Sequence, residues 1–418
     1  MEKIEVNYKN KKRFKTAKYP LRQSLFFVCL IWVLARFSLI GKKYKVEKIN
    51  MEGLKPPYFM LSNHQYFIDF ELAAMGTFPH RVNNVINIDG YIRRAWLMKL
   101  IGGICTRKFS NDLHLIKSIK KVLKRGDVVG MYPEARYSAC GITSYIPDSL
   151  AKLIKKCGVP VVVVIHRGNH LHTPFWNFRK SRKVPLHTTL TQVLTKEQVE
   201  TLSIQEIDKI IKDAFVYDDY KYQKDNNILI TEKYRAEGLH KVLYKCPCCK
   251  TESKMNSKGT TLYCEECGKE WNLNEDGTLS ALTGETEFSH VPDWYLWQRT
   301  FVKEEVENGT YYFEDEVDVY SLPRTTSVPH LGKAKVTHDP INGFVLEGFY
   351  NNAPYRILRK PLQANSLHIE YDYVHILPYD AFVINTEDDT YICYPKKQNV
   401  VTKLGFAVEE IYQYNLKK

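Results

Sequence analysis

The stretch Tyr58-Phe59-Met60-Leu61-Ser62-Asn63-His64-Gln65-Tyr66-Phe67-Ile68-Asp69 decides how the first half of the chain is read. Tyr58 to Leu61 is a short apolar run of the kind a buried strand carries, and Ser62-Asn63-His64 ends it. Asp69 stands five positions after His64. On a helix that spacing is about 500°, leaving two side chains roughly 140° apart with no shared face. His64 therefore belongs before the first helical turn, with Asp69 inside it and reaching back to the imidazole. A carboxylate so placed orients the ring and stabilises the cation formed when it takes a proton, which suits the histidine to act as general base for a hydroxyl. Spacing alone is weak: the chain has 13 His, and His375 and Asp380 repeat the interval. The strand-to-helix setting separates His64 and Asp69 from that second pair, which reads as background.

The alternation continues outward. Val85-Ile86-Asn87-Ile88 is a second strand candidate. Leu115, Ile116, Ile119, Val122 and Leu123 repeat at helical spacing, with Lys117, Lys120, Lys121 and Lys124 on the other face and Gly126 closing the helix. Val128 to Tyr132 is a buried-strand run. Asp148 is placed to cap a helix ending at Gly158, and Val159 to Ile165 is continuously apolar, as in a parallel strand covered on both faces. Ser203-x-x-Glu206 is a capping box opening a helix to about Phe215. The fold class is α/β, with a layered domain over residues 51–215. Residues 216–240, polar and Tyr-rich, read as a linker. Residues 241–285 hold a cysteine module, and 286–418 are β-rich. From about residue 310 there are short strands, turns at Asn342-Gly343 and Glu387-Asp388-Asp389, and a closing helix from Leu404 to Tyr414. That topology resembles pleckstrin-homology or GRAM modules.

Charge is divided unevenly along the chain. Its 418 residues carry 60 Lys+Arg against 47 Asp+Glu, a formal +13. Residues 1–200 hold 35 basic and 13 acidic residues (+22), and residues 201–418 hold 25 and 34 (−9). An anionic partner faces the first half, phosphate being the expected chemistry. Within that half, Leu25 to Ala35 is an unbroken apolar run, far short of the roughly 20 residues that span a bilayer. Eight Lys or Arg precede it in residues 1–22, and Lys42, Lys43, Lys45 and Lys48 follow it. A spanning helix is basic mainly on its cytoplasmic side. Cations on both sides instead fit a segment lying in one leaflet, so residues 1–50 are expected to be a basic arm and interfacial anchor. The expected location is the cytoplasmic face of the cell membrane, with the phospholipid surface as partner.

Three further blocks share the basic half. Gly102-Gly103-Ile104-Cys105-Thr106-Arg107-Lys108 carries a Gly and an adjacent basic pair; Pro133-Glu134-Ala135-Arg136-Tyr137-Ser138 and Gly158-Val159-Pro160-Val161-Val162 follow. In order and spacing, these blocks and His64/Asp69 resemble the glycerolipid acyltransferases, especially the lysophosphatidic acid acyltransferases, across roughly residues 55–170. The resemblance implies direct acyl transfer from acyl carrier protein or coenzyme A to the sn-2 hydroxyl of lysophosphatidic acid, giving phosphatidic acid, with an acyltransferase that uses a different glycerolipid acceptor, glycerol 3-phosphate or another lysolipid, as the alternative within this class. His64 would be the base and Asp69 its orienting partner. Arg107, Lys108 and Arg136 would bind the acceptor's phosphate by charge-assisted hydrogen bonds, and Glu134 would hold the glycerol or an Arg. Two departures stand out: Arg136 comes one residue early, leaving Tyr137 at the usual Arg position, and Cys105 replaces an aromatic. No Gly-x-Ser-x-Gly elbow supplies a serine nucleophile.

Cys246-Pro247-Cys248-Cys249 and Cys264-Glu265-Glu266-Cys267 form two Cys-x-x-Cys knuckles. Their spacing suits a four-thiolate zinc site with Cys246, Cys249, Cys264 and Cys267 as ligands and Cys248 spare, resembling a zinc ribbon. Four protein ligands leave no place for substrate, so this zinc is expected to be structural. Cys29, Cys105, Cys140, Cys157 and Cys393 read as reduced packing residues. His166, His170 and His172 read as a polar rim rather than a second metal site. The other class of reading, a nonenzymatic zinc-ribbon protein binding nucleic acid, is opposed by local charge: residues 241–300 hold seven basic and nine acidic residues, a poor match for a phosphate backbone, so no nucleic acid is expected.

Overall fold

The computed structural model describes residues 20–109, 112–373, 376–387 and 389–418. Most of the basic arm and His375 lie outside these residues. Two compact units result: the described residues up to Thr106 with Asp112–Ile230, and Thr231–Lys418 with the short stretch from Arg107.

The first unit follows the strand–helix alternation of the sequence. Helix α1 (Leu25–Ser38) leads to β1 (Tyr44–Ile49), β2 (Phe59–Ser62), α2 (Ile68–Thr77), β3 (Val82–Asn87), α3 (Ala95–Leu100), β4 (Ile104–Thr106), α4 (Leu113–Lys124) and β5 (Val128–Met131). Then come α5 (Ser149–Cys157), β6 (Val161–Arg167), α6 (Asn169–His172), β7 (Leu186–Leu194), α7 (Lys196–Thr201), α8 (Ile204–Ala214) and α9 (Asp219–Asp225). The strands form one seven-stranded sheet in the order β1-β7-β6-β2-β5-β3-β4. Only the β6–β7 pair is antiparallel.

Both faces of this sheet are covered, which is why its central strands read as unbroken apolar runs. Alternate residues serve opposite layers. Phe59, Leu61, Val129, Val161 and Val163 pack with Ile119 and Val122 of α4, Ala151 and Ile154 of α5, and Ile207 and Ile211 of α8. Met60, Val128, Val162 and Val164 pack with Ala73 of α2 on the other side. Gly158 closes α5 at φ 62°, and Ser203 and Glu206 form the expected capping box on α8. Asp148 does not cap α5. Its backbone is already helical, and its carboxylate pairs with Lys212 at 2.6 Å instead.

Helix α1 is apolar around its circumference yet buries mainly Val28 and Ala35, packing on α2 and, through Trp32, on Phe78 just after it. Phe26, Leu34 and Phe37 remain more than half exposed. Among the described residues, no helix is long and apolar enough to cross a membrane. The stretch 216–240, expected to be a linker, contains α9 and buries Tyr217, Asp219, Tyr220 and Gln223.

In the second unit β8 (Met255–Lys258), β9 (Thr261–Cys264), β10 (Glu270–Leu273) and β11 (Leu279–Ala281) make a four-stranded antiparallel sheet. After α10 (Val291–Glu307) come β12 (Phe313–Ser321), β13 (His330–Asp339), β14 (Gly343–Tyr350), β15 (Ala353–Arg359), β16 (His368–Glu370), β17 (Ala381–Asn385), β18 (Thr390–Pro395) and α11 (Val401–Leu416). The sheet order is β15-β14-β13-β12-β18-β17-β16: a four-strand and a three-strand meander joined through β12 and β18, with a helix after them. Helix α10 bolts this sheet's helix to the cysteine module. Trp294 Nε1 donates to the Lys245 carbonyl, Gln298 Oε1 accepts from Lys245 N, and Arg299 pairs with Glu409 and Glu410 of α11.

Candidate functional site

Strands β2, β5 and β6 run parallel, so the residues after them meet along one edge of the sheet, where α/β proteins place their ligands. Asn63 ties two of these ends together: its Nδ2 donates to the His166 carbonyl at 3.0 Å, and its Oδ1 accepts from His166 N at 2.8 Å. His64 is thereby fixed at the mouth of the sheet with its side chain 20% exposed. Asp69 lies in the first turn of α2, and His64 precedes that helix, as the spacing required.

Asp69 is fully buried. Its Oδ2 accepts from Gln65 N at 2.6 Å and Tyr66 N at 3.0 Å and meets His64 Nδ1 at 3.1 Å. Its Oδ1 accepts from Asn169 Nδ2 at 2.7 Å. Burial alone would push the carboxyl up. The His166 and His64 rings and the hydrogen bonds from His64 and Asn169 outweigh burial, and its pKa lies below the ordinary value. An ionised Asp69 selects the tautomer with the proton on Nδ1 and leaves Nε2, across the ring, as the basic nitrogen.

A second layer holds the first. Asn169 opens α6 behind Gly168, whose φ of 83° and contact with the Pro185 carbonyl leave no room for a Cβ. Asp219 Oδ2 accepts from Gly168 N at 3.1 Å and His170 N at 3.2 Å, and Gln65 Oε1 also accepts from His170 N. Burial raises Asp219 to about 7. The segment 215–219 also braces the loop after β5. Thr143 Oγ1 donates to the Phe215 carbonyl, Asp219 N donates to the Gly141 carbonyl, and Tyr217 Oη donates to Glu134.

Glu134, assigned to substrate by resemblance, is 1% exposed and turned inward, accepting from Ser144 N at 2.9 Å and from Tyr217. Burial raises it to about 7. Arg136 is buried in the same loop and exerts a coulombic pull on Glu134. Ala135 between them adopts φ 53°, in the left-handed region that favours glycine. The loop also brings Tyr132 and Tyr137 onto the His64 ring, at centroid distances of 3.9 and 4.2 Å. Arg107 is buried and Lys108 partly so. Both follow β4, in the short stretch that clusters with the second unit.

The three histidines of β6 and the α6 segment that follows it are interior groups rather than a rim. His166 is buried with Nδ1 2.8 Å from Thr188 Oγ1, and burial lowers its pKa to about 4. Burial lowers His170 to about 3. His172 is also buried, with Nδ1 2.6 Å from Thr173 Oγ1. Sequence reasoning missed Asn169 and Asp219. Asn169 had a faint signal in the preceding Gly168, whereas Asp219 had none, standing 150 positions from Asp69 in a polar stretch.

The second candidate site is the cysteine cluster. Cys246 and Cys249 lie in the turn before β8, Cys264 ends β9, and Cys267 lies in the turn before β10. Their four Sγ atoms lie within 4.8 Å of one another. The Cys246–Cys267 and Cys249–Cys264 separations are 3.8 and 3.7 Å. A tetrahedron with metal–sulfur bonds of about 2.3 Å has edges of about 3.8 Å, so the four thiolates fit a metal ion of that bond length.

No family model matches the chain, and no curated protein matches it. Among solved structures it is similar to the crystal structure of the 1-acyl-sn-glycerophosphate (LPA) acyltransferase, PlsC, from Thermotoga maritima. The identity is 16%, the match covers 46% of this chain and 77% of that one, and the TM-score is 0.37.

Proposed function

We propose that the chain is a membrane-surface acyltransferase. It would move a fatty acyl group from a thioester, on acyl carrier protein or coenzyme A, to the sn-2 hydroxyl of lysophosphatidic acid, giving phosphatidic acid. The observation that carries this reading is the His64–Asp69 pair. A half-buried imidazole at the mouth of a parallel sheet has one nitrogen against a fully buried carboxylate that is itself held by two backbone N–H groups and Asn169. In the reaction, Nε2 takes the acceptor's hydroxyl proton as the oxygen attacks the thioester carbonyl. The thiolate then leaves and recovers a proton from the imidazolium. The ordered blocks around residues 102–108, 133–138 and 158–162 support the choice of acyl transfer among base-catalysed reactions. Arg107, Lys108 and Arg136 are the proposed phosphate ligands.

The outward apolar residues of α1 support a membrane-surface location. A helix apolar all round is normally buried or inserted in lipid, and its 14 residues cover about 21 Å, against a hydrocarbon core of about 30 Å. We place α1 in one leaflet on the cytoplasmic side. We assign a structural zinc ion to Cys246, Cys249, Cys264 and Cys267.

The test is acyl transfer to lysophosphatidic acid in liposomes with each donor, comparing the wild type with His64→Ala. Loss of roughly 10²- to 10⁴-fold in a folded variant is expected for removal of a general base. Activity surviving the substitution would remove His64 from the mechanism.

A further inference from the structure

The His64 ring is packed against two tyrosines. Tyr132, the first residue after β5, stacks on it at 3.9 Å with 23° between planes, and Tyr137 lies at 4.2 Å and 42°. Tyr132 is stacked on the imidazole and Tyr137 is tilted against it, so two separate aromatic rings pack directly on His64. The loop between them folds around the ring through the left-handed Ala135, and Ser138 N donates to the His64 carbonyl at 2.7 Å. Phe175 and Tyr66, at 5.2 and 6.1 Å, back the Tyr137 ring.

An aromatic face carries partial negative charge and attracts a cation set over it far more than a neutral group. The same attraction acts on an imidazolium and only weakly on an imidazole. From this geometry we infer that Tyr132 and Tyr137 are positioning residues that raise the proton affinity of His64 by packing two π systems against its cationic form. The inference rests on the proposed role of His64 as base. The arrangement assigns Asp69 to Nδ1 and Tyr132 and Tyr137 to the π system of the ring, with Nε2 as the nitrogen that takes the acceptor's proton. It also gives a reason for Tyr137 standing at the family's arginine position. An arginine there would put a second positive charge beside the ring and oppose the protonation that the reaction requires.

The titratable or charged groups shown to act on the ring include Asp69 from α2 and His166 from β6, with Tyr66 beside Tyr137 and Glu134 and Arg136 in the loop that carries the tyrosines. The test leaves all of them unchanged. Tyr132→Leu and Tyr137→Leu keep an apolar wall and remove the π face, whereas Tyr→Phe keeps both. The probe is the His64 ring itself, followed by NMR titration in histidine-labelled protein in detergent and assigned with His64→Gln. Each Leu variant is expected to lower the titration midpoint by roughly half a unit to one unit, and each Phe variant to match the wild type. The acidic limb of kcat/KM should move to lower pH by the same interval. Leu variants titrating with the wild type would overturn the inference, as would Phe variants shifting as far as Leu. Tyr137 is partly exposed, so its Leu variant decides the matter if Tyr132→Leu fails to fold. A midpoint shift without acyl transfer would sink the proposed function alone; acyl transfer without a shift would sink this inference alone.

Discussion

Replacing Asp69 by Asn separates the two things the carboxylate does. As a hydrogen-bond acceptor it holds Gln65 N, Tyr66 N and Asn169 Nδ2; as a charge it lies 3.1 Å from His64 Nδ1. An asparagine whose oxygen takes the Oδ2 position keeps the first role. Its amide then faces Asn169, whose own Oδ1 has no hydrogen-bond partner among the described residues and can accept after a side-chain flip. The loss in unfolding free energy should stay below about 2 kcal/mol. The charge cannot be recovered. Opposite unit charges about 4 Å apart attract by about 4 kcal/mol at an effective dielectric of 20, or about three decades in rate. The amide dipole restores part of this, so kcat should fall roughly 10²- to 10³-fold with little change in KM. Initial rates of thioester consumption on liposomes would measure it, with urea unfolding as the stability control. A folded Asp69→Asn variant within tenfold of the wild-type kcat in the proposed reaction would refute the claim that Asp69 acts on the imidazolium by charge.

Asp219→Ala should cost about 1–3 kcal/mol in urea unfolding, because Gly168 N loses its buried acceptor; with Asn169 loosened, kcat should drop roughly 10- to 100-fold. Glu134 is held at about 7 in the folded protein against an ordinary 4.5, so the native state binds its proton more tightly than the unfolded chain. Its contribution is greatest below about pH 4.5 and is lost as pH rises to about 7. Glu134→Gln should therefore flatten the stability decline across that window, by about 3 kcal/mol at most, and parallel slopes in the two proteins would count against it. Chelation should release one zinc ion per chain and unfold residues 244–282 ahead of the first unit, because the small β8–β11 sheet has a core of only a few side chains, chiefly Tyr244, Met255, Leu262, Trp271, Leu273 and Leu279. Hydrogen exchange resolved along the chain, with metal analysis, would show whether that order holds.

Much of the first unit was legible because its signals are local. Continuous apolar runs at 58–61, 128–132 and 159–165 mark strands covered on both sides, and the Ser203 capping box and the Gly158 terminus mark helix ends through chemistry within a few residues. The His64–Asp69 interval was interpretable for the same reason, since five residues of backbone geometry decide whether the side chains can meet. The knuckles at 246–249 and 264–267 likewise carry their ligand spacing in sequence. Strand β1, paired in parallel with β7 across about 140 residues, had no such local mark.

Tertiary structure alone decided what surrounds these features. Asn169 reaches Asp69 only because β6 lies beside β2. Asp219 reaches Gly168 only because the polar stretch after Phe215 folds back under the loop. Glu134, which a motif reading turns toward substrate, faces inward because Tyr217 and Ser144 N meet it there. Tyr137 became more than a departure from a pattern once the loop placed it 4.2 Å from the His64 ring. Sequence by itself determined the elements and the chemical inventory, because propensity, capping and ligand spacing act over a few residues. The sheet order determined which distant side chains share a site, because hydrogen bonds and ring contacts depend on distances that the chain sets only by folding.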